Sequence, residues 1–133
     1  NCCVIRTSII GEEKNTQRSL LEWAKSQKDC EVFGFTNHWW NGLTCLQVAK
    51  SIEDLIHSGH SWNGVRHVFT PGRYNKLEML EMFNREFQLN LTITPKEGAS
   101  SCDRTMSTIY PTSKFLEVPS LEDQIREMKE FGV

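Results

Sequence analysis

The chain has 133 residues, room for about one domain with a single core. Hydrophobic residues make up 38% and charged residues 24%, the formal net charge is −2, and lysines and arginines are scattered rather than massed. That balance excludes a polybasic partner surface, so nucleic acid and anionic membranes are not expected as partners, and no apolar run approaches the ~20 residues that span a bilayer.

The chain opens without Met on "NCCVIRTSIIG", where Cys2 to Ile5 already read as a buried strand. A domain seldom begins in mid-strand, so a piece of a longer protein is expected. Gly11 to Asn15 form a polar loop, and "NTQRSLLEWAKSQ" turns Leu20, Leu21, Trp23 and Ala24 to one side of a helix capped by Asn15 or Thr16. "CEVFGF" is a short strand, followed by the unusual run "FTNHWWNGLTC". Thr44 then caps "CLQVAKSIEDLIHSG", in which Leu46, Val48, Ala49, Ile52, Leu55 and Ile56 recur at helical spacing until Gly59.

"GVRHVFT" is a further strand, closed by Pro71-Gly72. "NKLEMLEMFNREFQ" offers Leu77, Leu80, Met82, Phe83 and Phe87 to a core, and "LNLTITP" alternates as a strand. The loop "KEGASSCDRTMST" leads to a last helix, "SLEDQIREMKEFG", capped by Ser120 with Asp123 three residues on. Strands and helices therefore alternate, which predicts an α/β fold in one unit over residues 1–133.

Five cysteines without a repeated spacing suit reduced, buried thiols in a cytoplasmic protein better than a disulfide framework or a zinc site. His57 and His60 flank the glycine that ends a helix, with no further ligand at a recognisable spacing, and read as a solvated helix end; no metal is expected. His67 reads as a packed strand histidine. Tyr110 and Lys114 have the Tyr-x-x-x-Lys spacing that lowers a phenol's pKa on a helix, but Pro111 opposes a helix there, so no catalytic residue is assigned. There is no G-x-G-x-x-G and no G-x-x-x-x-G-K-[ST], hence no dinucleotide or triphosphate cradle. The run around Trp39, Trp40 and Asn41 has two readings: a fold corner plugged by tryptophan, or an aromatic wall that stacks on a ring while Asn41 reads hydroxyls. Arg104 either pairs with Asp103 or forks onto a phosphate.

Taken in order, "VIRTSIIGEE", "FTNHWWNGLTCLQVAKSIEDLI", "GVRHVFTPGRYNKLEMLEMF" and "CDRTMST" resemble the C-terminal half of an extended short-chain dehydrogenase/reductase of the dTDP-4-dehydrorhamnose reductase type. The resemblance implies the end of a Rossmann-like sheet plus a small α/β substrate domain, without the N-terminal dinucleotide-binding half. It implies Ser8 and Ile9 beside nicotinamide and sugar, Trp39, Trp40 and Asn41 facing the nucleotide sugar, and Arg104 at the diphosphate. NAD(P) is implied for the full-length protein and not for this portion alone. The implied partners are a nucleotide sugar and the N-terminal half, with room for a homodimer. The activity implied is reduction of a dTDP-4-keto-deoxysugar. A nucleotide-sugar epimerase or dehydratase shares the architecture, and a non-catalytic regulatory subunit of the kind found with methionine adenosyltransferase resembles the same reductases.

Overall fold

The computed structural model describes residues 2–111 and 115–132. It is an α/β fold of four helices and nine short strands among the described residues. β1 (Cys3–Arg6) pairs in parallel with β6 (Gly64–His67), and β2 (Ile9–Ile10) in parallel with β5 (Leu43–Thr44). β3 (Glu31–Phe35) pairs in parallel with β8 (Thr92–Lys96). β4 (His38–Trp40) lies between β7 (Tyr74–Asn75), antiparallel, and β9 (Cys102–Arg104), parallel.

The helices are α1 (Leu20–Ser26), α2 (Cys45–Ser58), α3 (Lys76–Phe87) and α4 (Leu121–Phe131). Thr44 and Ser120 cap α2 and α4 as their sequences predict, and Gly59 closes α2 in the left-handed region at φ 67°. Asn75 and Glu78 form a reciprocal capping box on α3. The cap of α1 differs from expectation. Asn15 sits at φ 65° in a turn, and Ser19 caps instead, its hydroxyl accepting from Glu22 N (3.2 Å) while donating to the Gly11 carbonyl (3.2 Å). The Glu13 carboxylate explains the shift: it accepts from the Thr16 hydroxyl and the Arg18 amide, folding residues 13–18 into a loop before the helix can start. The Thr16 contact holds the Glu13 carboxyl below its ordinary range.

Two apolar clusters form. The larger joins Leu21 and Ala24 of α1, Met79, Leu80 and Phe83 of α3, and Leu121, Ile125 and Met128 of α4. The smaller gathers Leu43, Leu55, Trp62, Val68 and Leu116, with Ile5 and Val48 against it. Gln124 lies where they meet, 1% exposed. Its Nε2 donates to Thr70 Oγ1 (2.8 Å) and to the Pro119 carbonyl (2.9 Å), and its Oε1 accepts from Thr44 N (3.1 Å). Thr70, itself fully buried, donates onward to the Gly42 carbonyl (2.5 Å).

Several apolar positions face outward against expectation. β1 is half bare: Val4 and its register partner Val65 are 37% and 42% exposed, because nothing among the described residues covers that face. On α2, Gln47 and Ser51 are buried while Ile52 (43%) and Ile56 (72%) are exposed; the polar pair bonds to itself, Gln47 Nε2 to Ser51 Oγ at 3.2 Å. Trp23 also leaves the core, at 37% exposure. All five cysteines are free, and four are exposed rather than buried. Among the described residues no helix is long and apolar enough to cross a membrane.

Gln124→Leu keeps the volume and removes the node, leaving the buried Thr44 amide without an acceptor. Urea denaturation should show a loss of about 1–3 kcal/mol at an unchanged m-value.

Candidate functional site

The run "FTNHWWNGLTC" is neither a loop nor a helix: it makes β4 and β5 in succession. The reason is tertiary. β4 is the centre strand of a three-stranded sheet, and its register sets Trp39 opposite Asn75 and Asp103, and Trp40 opposite Tyr74 and Arg104. "CDRTMST", expected as loop, supplies that third strand as β9.

A seam joins β4 to the start of the chain. Trp40 Nε1 donates to Ser8 Oγ at 2.7 Å, and Leu43 N donates to the Ser8 carbonyl at 2.8 Å. A Cβ on Gly42 would strike the Ser8 carbonyl and the Trp40 ring, so only glycine lets this backbone pass so close. Asn41 is 3% exposed, and its amide is used at both ends by one residue: Nδ2 donates to the Met106 carbonyl (2.9 Å) and Oδ1 accepts from Met106 N (2.7 Å). That pair of bonds ties the segment after β9 to the end of β4.

Beside this seam lies a cleft of about 620 Å³. Its apolar wall comes from Ile9, Ile10, Leu20, Met79 and Leu80, and its aromatic wall from Trp23, Phe33, Phe35, Trp39 and Trp40. Arg18, Lys76 and Arg104 add three cations, and no carboxylate is among the lining residues. Carboxylates outnumber cations in the chain, 17 to 15, so the exclusion is local. Carboxylates nearby in sequence are occupied: Glu13 by Thr16 and the Arg18 amide, Glu22 by Lys25 (3.3 Å), Glu78 by the Asn75 amide (3.0 Å), and Asp103 by Thr105 N (2.9 Å), Thr105 Oγ1 (2.7 Å) and Arg73 (3.8 Å). The Thr105 bonds, with a smaller contribution from Arg73, hold the Asp103 carboxyl below its ordinary range. Arg104 is therefore not paired with Asp103, and among the described residues its guanidinium has no ion-pair partner. A one-signed, partly apolar cleft focuses its field on an anion.

Of the residues expected at a site, Ile9, Trp39, Trp40 and Arg104 line this cleft together. Ser8 stands behind it, its hydroxyl used by Trp40. The structure does not bring Asn41 in; its amide is spent on Met106. Sequence reasoning missed Arg18, Lys76, Trp23, Phe33 and Phe35. A signal existed for Phe33 and Phe35, which alternate with buried Val32 and Gly34. None existed for Arg18, which arrives through the Glu13-held loop.

The other candidates stand apart. His57 and His60 are exposed, and His67 Nδ1 is 3.0 Å from the Ser107 carbonyl. Tyr110 lies under the Arg66 guanidinium (4.4 Å), and Lys114 lies outside the described residues. Among the described residues no group of three or more His, Cys, Asp or Glu side chains could hold a metal. The Ser8 hydroxyl, expected beside a nicotinamide, accepts from Trp40 Nε1.

No protein-family model matches the sequence, and no curated protein matches it. Solved structures do. The dTDP-4-dehydrorhamnose reductase of Bacillus anthracis, determined in complex with NADP, superposes at TM-score 0.74 with 17% identity over 97% of this chain and 48% of its own. The Yersinia enterocolitica reductase superposes at 0.72 with 14% identity, over 97% of this chain and 49% of its own. The chain shares its fold with about half of each of these reductases. The UDP-glucose 4-epimerase of Thermotoga maritima, solved with UDP-glucose, shares it at 0.65 and 14% identity, over 96% of this chain and 44% of its own. The chain thus spans about half the length of the solved structures it matches.

Asn41→Ala orphans both buried bonds of Met106 and should lower the unfolding free energy by about 1–3 kcal/mol. Thermal melts should register the loss, and nucleotide affinity of the remaining folded protein should not change.

Proposed function

We propose that this chain is the nucleotide-sugar-binding portion of an NAD(P)-dependent reductase acting on a dTDP-4-keto-deoxysugar. The cleft carries the reading. A diphosphate asks for unpaired guanidinium or ammonium groups free of competing carboxylates, a base asks for flat apolar surface, and Arg18, Lys76 and Arg104 stand with five aromatic rings in one hollow.

The bare parallel pair supports the second half of the reading. Parallel sheets are found covered on both faces, and a two-stranded one with Val4 and Val65 exposed asks for further strands and helices. The NAD(P) that a dinucleotide-binding half would hold would supply the hydride, and Ile9, which lines the cleft, is the residue of this chain that the resemblance puts beside it. Hydride transfer and the accompanying proton belong to that half, and the residues here hold the nucleotide so that the keto carbon is placed for reaction. Reduction is put first on the ordered motifs that resemble the reductase type; the fold does not decide it, since one reductase superposes at 0.57 and an epimerase at 0.65.

Calorimetry of the full-length protein with dTDP is the test. Saturable binding is expected, and Arg104→Ala should weaken it by about 1.5–3 kcal/mol, the range for hydrogen bonds to charged groups, without moving the melting temperature. Absence of dTDP binding, or an Arg104→Ala protein of unchanged affinity, would sink the assignment of this cleft to the diphosphate.

A further inference from the structure

Residues 11–19 close a loop on themselves between β2 and α1. At its base Ser19 Oγ donates to the Gly11 carbonyl (3.2 Å), and Gly11 is seated so tightly that a Cβ there would strike Cys45 Sγ. Above the base the loop is wholly polar, Glu12 to Arg18, and none of those residues is buried. A surface loop with joined ends and no apolar side chain to bury is held by whatever polar bonds cross it.

One carboxylate makes those crossing bonds. Glu13 Oε2 accepts from the Thr16 hydroxyl and from the Arg18 amide (3.4 Å), while the Glu13 amide donates to Glu22 Oε1 (3.2 Å) on α1. Asn15, at φ 65°, reverses the chain between them. Arg18 is thus fixed at its own backbone, and it lines the cleft together with Gln17. Its guanidinium has no ion-pair partner among the described residues, because the carboxylate nearest to it in sequence is engaged within the loop.

From this geometry we infer that Glu13 is a positioning residue for the cleft: its carboxylate pins loop 11–19 so that Arg18 is presented, already in place, to an anionic ligand. The inference rests on the nucleotide reading above and adds to it a residue outside the lining. Glu13 touches no ligand and acts through Arg18. A loop pinned beforehand loses less freedom on binding, so pinning raises affinity. Charge works in the opposite direction: an acid beside a cation-lined hollow repels an anion, and its removal by itself tightens binding. Substitution therefore separates the two roles by sign.

Calorimetry of the full-length protein with dTDP and with inorganic pyrophosphate is the test. Glu13→Ala, which removes both pin and charge, should weaken both ligands roughly two- to tenfold, the scale of one net hydrogen bond. Glu13→Gln removes the charge but keeps an oxygen for Thr16 and Arg18, and should restore what Glu13→Ala loses. Arg18→Ala should weaken both ligands about tenfold or more, the scale for a hydrogen bond to a charged group, and adding Glu13→Ala to it should cost nothing further. Tighter binding by Glu13→Ala would make Glu13 a charge only and overturn the inference. So would Glu13→Ala binding equal to the parent's, or a loss from Glu13→Ala that persists undiminished without Arg18; in each case the nucleotide reading survives alone. If the parent binds neither ligand, both readings fall together.

Discussion

Three bonds from the side chain of Gln124 hold the two halves of the core to one another. Each apolar cluster is modest, and they meet along a line where α4 touches β5, the start of α2 and the segment after β6. An apolar contact there would resist separation but not sliding. The carboxamide instead fixes a register: its oxygen takes the Thr44 amide, and its nitrogen takes the Thr70 hydroxyl and the Pro119 carbonyl. Because Thr44 also caps α2 and Thr70 also holds the Gly42 carbonyl, one side chain fixes a helix start and a close backbone crossing together. In a dry interior such a node is useful only when fully paired, and this one is.

The cleft inherits its shape from that crossing. Gly42 brings β5 against Ser8, Trp40 closes over the gap with its indole nitrogen on the Ser8 hydroxyl, and Asn41 draws Met106 against the end of β4. Residues far apart in the chain are thereby brought to one hollow. The electrostatics follow from local occupation: the acids that could neutralise Arg18 and Arg104 are engaged by Thr16 and Thr105. The cations then face the hollow with no carboxylate beside them in its wall.

The same fold leaves a surface unfinished. Val4, Val65, Ile52 and Ile56 are apolar and exposed, on a parallel strand pair and the adjoining helix. Here α2 buries Gln47 and Ser51 and turns Ile52 and Ile56 out, because the polar pair bonds to itself on the inner face.

The sequence by itself determined the alternation of strands and helices, the caps at Thr44 and Ser120, and Leu80 and Phe83 as core, because these depend on interactions within a few residues or on the periodicity of one element. It also carried the order of motifs that resembles half of a reductase. The tertiary structure alone decided that His38 to Trp40 form a strand, since that strand exists only between β7 and β9, which are distant in sequence. It alone decided that Asn41 is tied to Met106 while Arg104 has no ion-pair partner among the described residues, because both depend on which partner reaches the side chain first. And it alone decided that Gln124, a polar residue on an apolar helix face, is the centre of the core: helical spacing marks a face as inward, but only long-range packing supplies the three partners that a buried carboxamide requires.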